Sequence, residues 1–266
     1  MRSHVQSNSA HKVIAGFKLW LLLSIGVLLN SIVSCAPVLY GTQGQNVPML
    51  KAEGDVYLSA GHIETNESSG EYANAAYAIS EKTALMASSY KYHGGNTGGW
   101  SANAKFQEFG IGRFFAKKDQ NWVFDVYTGL GYASINNYSD NNDFIDVNYS
   151  KWFVQSSYGS VGRIAEFAFT LRLAKVTYAE RTCSLIDEAQ QLAIENFFNE
   201  NNTFFVYEPG FTFRIGPPYV KVELQVVTSN FSHRYGGQDL ADNTHASLGL
   251  AFNWREYQKR VRKKAR

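Results

Sequence analysis

The chain has 266 residues, 45% hydrophobic and 15% aromatic, with 25 Lys+Arg against 23 Asp+Glu. Two cysteines cannot make a disulfide framework and offer no zinc spacing. No phosphate-binding glycine loop, Gly-x-Ser-x-Gly elbow or His-Glu-x-x-His motif occurs, so no cofactor or metal site is expected, and no nucleic-acid partner is expected either.

The start of the chain reads as a targeting segment. Arg2, Lys12 and Lys18 precede or flank an apolar run from Leu19 to Leu29, of signal-peptide length and too short for a confident spanning helix. Ile32-Val33-Ser34-Cys35 then resembles a bacterial lipobox. That resemblance implies a lipoprotein signal over 1–34, cleavage before Cys35, and acylation of its thiol and new amine. An ordinary signal cut nearby, or an uncleaved anchor, are the alternatives. With 1–34 removed, 22 cations face 23 anions, and seven of those cations lie in the tail Arg255–Arg266 beside one acid, Glu256. An acidic body therefore precedes a basic tail. If Cys35 carries lipid, Cys183 has no partner within the chain.

Residues 35–53 read as a lipidated linker leading into the first strand. From Gly54 to Trp254 the chain alternates with period two, the signature of strands. Strands are predicted near 54–63, 70–80, 83–92, 104–117, 121–138, 149–163, 166–180, 203–216, 219–231 and 245–254. In 121–133, Trp122, Phe124, Val126, Leu130 and Tyr132 share one face, and Val123, Asp125 and Tyr127 share the other. The stretches 166–176, 204–215, 219–228 and 246–254 are similarly divided. Short connections (80–82, 118–120, 163–165, 217–218) interleave with longer polar ones (64–69, 93–103, 139–148, 181–202, 232–244). Residues 185–198 have helical spacing and predict a short helix in the longest loop.

Strictly alternating connection lengths fit an up-and-down antiparallel transmembrane β-barrel of about ten strands, with 8–12 possible. A Greek-key sandwich would not sort its connections this way. In hydrocarbon a sheet must close, because no water satisfies a free edge. Aromatics near strand ends (Tyr90, Tyr92, Trp122, Tyr132, Tyr149, Trp152, Tyr219, Trp254) are expected to form interfacial girdles, Tyr219 fitting less well by parity. The opposite face would bring Glu108, Asp125, Arg172, Glu208, Arg214, Lys221 and Glu223 into the lumen as a charge ladder that plugs it rather than lining a solute path. An even strand count puts both ends of the barrel at the periplasmic rim.

The lipobox Cys followed by Asn46-Val47-Pro48-Met49-Leu50-Lys51-Ala52-Glu53-Gly54-Asp55, then Ala76-Tyr77-Ala78-Ile79, Phe153-Val154-Gln155, Ala168-Phe169-Thr170-Leu171-Arg172-Leu173, and Glu208-Pro209 ahead of Arg214-Ile215-Gly216, resembles small outer-membrane β-barrel lipoproteins of Bacteroidota-type bacteria. The resemblance spans nearly the whole mature chain and implies location and fold, in a family mostly of unknown function. It also implies barrel-assembly and lipoprotein-export machinery as partners. The 22-residue loop at 181–202 and the basic tail depart from the pattern. Phe252 or Trp254 would be the terminal aromatic that the assembly machinery reads, but twelve residues follow Trp254.

Four histidines remain after the signal: His62, His93, His233 and His245. His62, His233 and His245 fall on strands that become neighbours on closure. They could bind a metal, or supply a general base beside Ser59, Ser232 or Asp242 for a lipid-modifying enzyme; the plainer reading is that histidine suits loop ends. Cys183 is a reactive thiol, one half of an intermolecular bridge, or incidental. The tail at 255–266 either grips acidic phospholipid headgroups of the outer membrane's inner leaflet or another anionic periplasmic partner, or is a disordered soluble end. The functions left open are a structural or surface-interaction barrel whose loops meet a ligand, a narrow small-solute channel, and a lipid-modifying enzyme. A lipid-anchored soluble β-sandwich is the competing fold.

Overall fold

A computed structural model describes residues 38–65, 68–94, 100–116, 121–139, 141–200, 202–231 and 241–264. The signal segment 1–34, Cys35, Ser232 and His233 lie outside them. Ten antiparallel strands form the wall: β1 (Val56–Thr65), β2 (Ser68–Ala78), β3 (Thr83–Gly94), β4 (Trp100–Ala116), β5 (Trp122–Ser139), β6 (Phe144–Val161), β7 (Ala165–Ser184), β8 (Thr203–Ile215), β9 (Val220–Thr228) and β10 (Thr244–Asn253). Helix α1 (Glu188–Glu200) lies between β7 and β8, and α2 (Trp254–Lys264) follows β10.

Each strand pairs with the next, and β10 pairs with β1 from His245↔Thr65 to Asn253↔Tyr57, so the sheet closes. The fold is an up-and-down ten-stranded barrel, not a two-layer sandwich. Closure satisfies the backbone on both sides of every strand and leaves no edge. Several strands run further than their alternation predicts, notably β6 from Phe144 and β7 to Ser184, because polar residues such as Asn148 and Glu180 continue the ladder past a register shift at Asn148/Tyr149.

Alternation sorts the side chains. Phe109, Leu130, Phe169, Phe205 and Leu250 point outward and are exposed, while Glu108, Asp125, Arg172, Glu208 and Glu223 point inward and are buried. The molecule is apolar outside and mixed inside, the reverse of a water-soluble domain.

The interior also holds part of the chain itself. Every residue from Leu39 to Leu50 is buried. Val38 sits beside Asn137 near the long-loop end of β5, and Leu50 packs with Tyr57, Ala78 and Phe114 near the short-turn end. The segment thus enters at the long-loop rim, runs down the lumen and turns back into β1. Asp55 makes that reversal: its Oδ2 accepts the Lys51 and Ala52 amides at 2.8 and 2.9 Å, and Gly54 supplies φ 75°. The expectation of a linker over 35–53 is therefore corrected. The first and last wall strands begin and end at the same, short-turn rim, where Tyr57 stands opposite Asn253 and α2 follows, while Val38 lies at the long-loop rim.

Candidate functional site

The threaded lumen is the candidate site. A chain buried inside a barrel must find partners for its own peptide groups, since a buried peptide group left unpaired is costly. Two side-chain amides act as substitute strands. Asn137 accepts the Val38 N–H and donates to its carbonyl, both at 2.9 Å. Gln225 does the same for Gln45, at 2.7 and 2.8 Å. Further carbonyls are taken by Tyr92 (Thr42, 3.0 Å), Tyr90 (Gly44, 2.8 Å), Gln155 (Asn46, 2.7 Å) and Arg214 (Val47, 2.5 Å). Tyr40-Gly41 also pairs in parallel with Ala241-Asp242.

Two ionic networks hold the segment. In the first, Glu108 meets Lys151 at 2.5 Å and Arg172 at 3.1 Å, and Arg172 lies 3.6 Å from Glu208. The threaded segment joins in: Lys151 donates to Gln43 Oε1 at 2.7 Å, and the Tyr40 hydroxyl donates to Glu208 at 2.9 Å. In the second, Arg214 donates from Nε to Glu223 at 2.6 Å, and Glu223 also accepts the Tyr57 and Tyr72 hydroxyls at 2.6 and 2.9 Å. Lys221 pairs with Glu166 at 2.5 Å. Fully buried ions require this density of partners, because an unpaired charge there is costly.

All seven residues of the expected ladder are buried and inward, but not as one ladder. Arg172 sits between Glu108 and Glu208, Arg214 holds Glu223, Lys221 turns to Glu166, and Asp125 bonds the Ser157 hydroxyl instead of a cation. Lys151, Gln155, Glu166 and the whole segment 39–50 join them, and Gln225 lies on the polar face with Lys221 and Glu223. A composition signal for that segment exists: Leu39–Leu50 contains no charged residue but several Gln, Asn, Thr and Gly. Such a stretch can hydrogen-bond throughout without bringing ions into the lumen.

Glycines make the passage possible. A Cβ on Gly44 would lie 2.9 Å from His245 Nε2 and 3.0 Å from both Gln225 Oε1 and Tyr90 Cε1. On the wall, Gly210 leaves room for the Gln45 amide, which a Cβ would meet at 2.6 Å.

Three aromatics expected in the girdle lie inside instead. Tyr90, Tyr92 and Tyr149 have inward parity and line the path of the segment. With Leu39, Tyr40, Phe106, Tyr178 and Phe204 they form an aromatic cluster in the long-loop half of the lumen. Helix α1 closes over it by inserting Phe198, whose ring lies 5.0 Å from that of Tyr178.

Of the three histidines expected on neighbouring strands, the two among the described residues, His62 and His245, do not converge. His62 faces outward, 3.1 Å from Glu64, while His245 is fully buried and faces inward, 3.1 Å from the Tyr92 hydroxyl. In the β1–β10 register His62 stands opposite Leu248 and His245 opposite Thr65, so the sheet separates the two rings. Ser59 shares the inward parity and bonds Asn74 at 3.3 Å, away from His62. Among the described residues no group of three His, Cys, Asp or Glu side chains could hold a metal ion. Cys183, at the outer end of β7, has its thiol pushed up by partial burial and by Glu195 of α1, which disfavours the reactive thiolate.

No family model matches this chain, and no curated protein matches it. Among solved structures it is similar to the attachment invasion locus protein Ail of Yersinia pestis (11% identity, 76% of this chain and 99% of that one, TM-score 0.33). It is also similar to the NanC porin (10%, 74% and 98%, TM-score 0.37) and to the translocator domain of the autotransporter NalP from Neisseria meningitidis (8%, 94% and 98%, TM-score 0.39). Likeness this remote carries no weight about function.

Proposed function

We propose that this chain is an outer-membrane β-barrel lipoprotein, acylated at Cys35 and closed by its own N-terminal segment, with a structural or surface-interaction role. The observation that carries this reading is the burial of Leu39–Leu50 through the length of the lumen, every ionic wall group nearby being committed to the wall or to the segment. A transport path would need the lumen that this segment occupies, so the channel reading is not favoured. Among the described residues, no arrangement of the histidines favours the enzyme reading.

Sidedness follows from loop length. Short turns belong at the periplasmic rim and longer loops outside. Val38 is at the long-loop rim, and Cys35 is three residues away, a reach of roughly 10 Å. An acyl group on Cys35 would then sit in the outer leaflet, not the inner one. Loops of that rim, with α1, would meet any surface ligand. Export of the lipoprotein and insertion by the assembly machinery would precede this arrangement.

Conductance in planar bilayers tests the closed lumen. The purified full chain should be silent, and a variant lacking residues 39–50 should give steady steps. Equal, stable conductance from the full chain would overturn the reading. Labelled palmitate should enter the parent and not Cys35→Ala.

A further inference from the structure

We infer that α2 is an interfacial anchor that lies on the periplasmic leaflet and binds anionic lipid headgroups. This rests on the proposal that the barrel spans a membrane. The tail expected as either a headgroup contact or a disordered end is a helix. Asn253 caps it, its Oδ1 accepting the Glu256 amide at 3.2 Å, and Glu256 places an acid in the first turn. So short a helix is marginal alone in water, and one carrying six cations repels itself. The barrel fixes its start: Arg255 pairs with Asp55 at 2.7 Å and donates to the Glu53 carbonyl at 2.6 Å, and Arg260 lies 4.4 Å over the Tyr219 ring.

The apolar side of α2 is only partly covered by protein. Trp254, Tyr257 and Val261, spaced i, i+3 and i+7, form one stripe and are 43%, 39% and 48% exposed. That stripe continues the barrel's outer belt. Leu248 and Leu250 of β10 face outward, Phe252 follows, and the Phe252, Trp254 and Tyr257 rings contact one another at 5.5–6.2 Å. Cations flank the stripe; Arg255 is tied to Asp55 and Lys259 to Glu256 at 2.5 Å, while Arg262 has no carboxylate partner among the described residues. An aromatic stripe in register with a lipid-facing belt, flanked by cations, is the composition of a helix lying at an anionic membrane surface. A soluble acidic protein would match the charge but not the belt.

Limited trypsinolysis of the full chain in nanodiscs separates these possibilities, because α2 contains several cleavage sites. In phosphatidylcholine with phosphatidylglycerol, loss of the tail should be slower than in phosphatidylcholine alone by about fivefold or more, and high salt should remove the difference. Tyr257→Ser with Val261→Ser, which keeps all the cations, should lose most of the protection. Equal rates in the two lipids, or a double variant as protected as its parent, would overturn the inference. Heat-modifiable migration on gels reports whether the barrel is inserted. Its absence in both lipids would bring down the membrane reading itself, and the anchor with it.

Discussion

Arg172 shows how much one side chain carries in this lumen. It is fully buried, bonds Gln155 at 2.8 Å, and stands between two carboxylates on different strands. Replacing it with Met would leave Glu108 with Lys151 alone and Glu208 with no cation. Removing one partner of a buried pair costs about 3–5 kcal/mol, so urea unfolding in lipid vesicles should shift by that order for Arg172→Met. Gly44 is a steric counterpart. With His245, Gln225 and Tyr90 all at about 3 Å from any added Cβ, Gly44→Val should destabilise by about 1–3 kcal/mol in the same assay, whereas Val261→Ala on α2 should not move the midpoint. Parity in the sequence places Arg172, Glu208 and Arg214 inside. It cannot assign their partners, because pairing depends on stagger between strands and on a segment that has no strand pattern of its own.

The wall strands and α1 are legible in the sequence because each has a period to follow. The alternation in β5, β7, β8, β9 and β10 survives into the fold position by position, and α1 lies within two or three residues of its expected span. Residues 39–50 have no such period. Their structure is set by Asn137, Gln225, Tyr90 and Tyr92, which lie far away in the chain, and so the segment reads as a linker until the barrel is built around it. The same cause misplaced Tyr90, Tyr92 and Tyr149, which look like girdle residues by position but face inward by parity. Two expectations belong to this scale. Gln225→Leu removes both partners of the Gln45 peptide groups, and leaving them unpaired should cost about 1–3 kcal/mol, read as a lower unfolding midpoint. Phe198→Ala withdraws the buried anchor of α1, and the amides of 188–200 should exchange faster while those of β5 stay unchanged.

At the scale of the molecule, a closed sheet turns its apolar side chains outward and fills its interior with ions, amides and its own N-terminal chain. The outward belt makes a direct prediction: Leu130, 66% exposed on β5, should tolerate Phe but not Arg, with Leu130→Arg costing about 2–4 kcal/mol when the folded barrel is in a bilayer. The central claim is that residues 39–50 run through the barrel as a built part of it. Hydrogen exchange of the full chain, followed by mass spectrometry on peptides covering 39–50, tests this most directly. Amides of the threaded segment should exchange as slowly as those of β4 and β5. Complete exchange of that peptide within seconds, with the strands still protected, would contradict it.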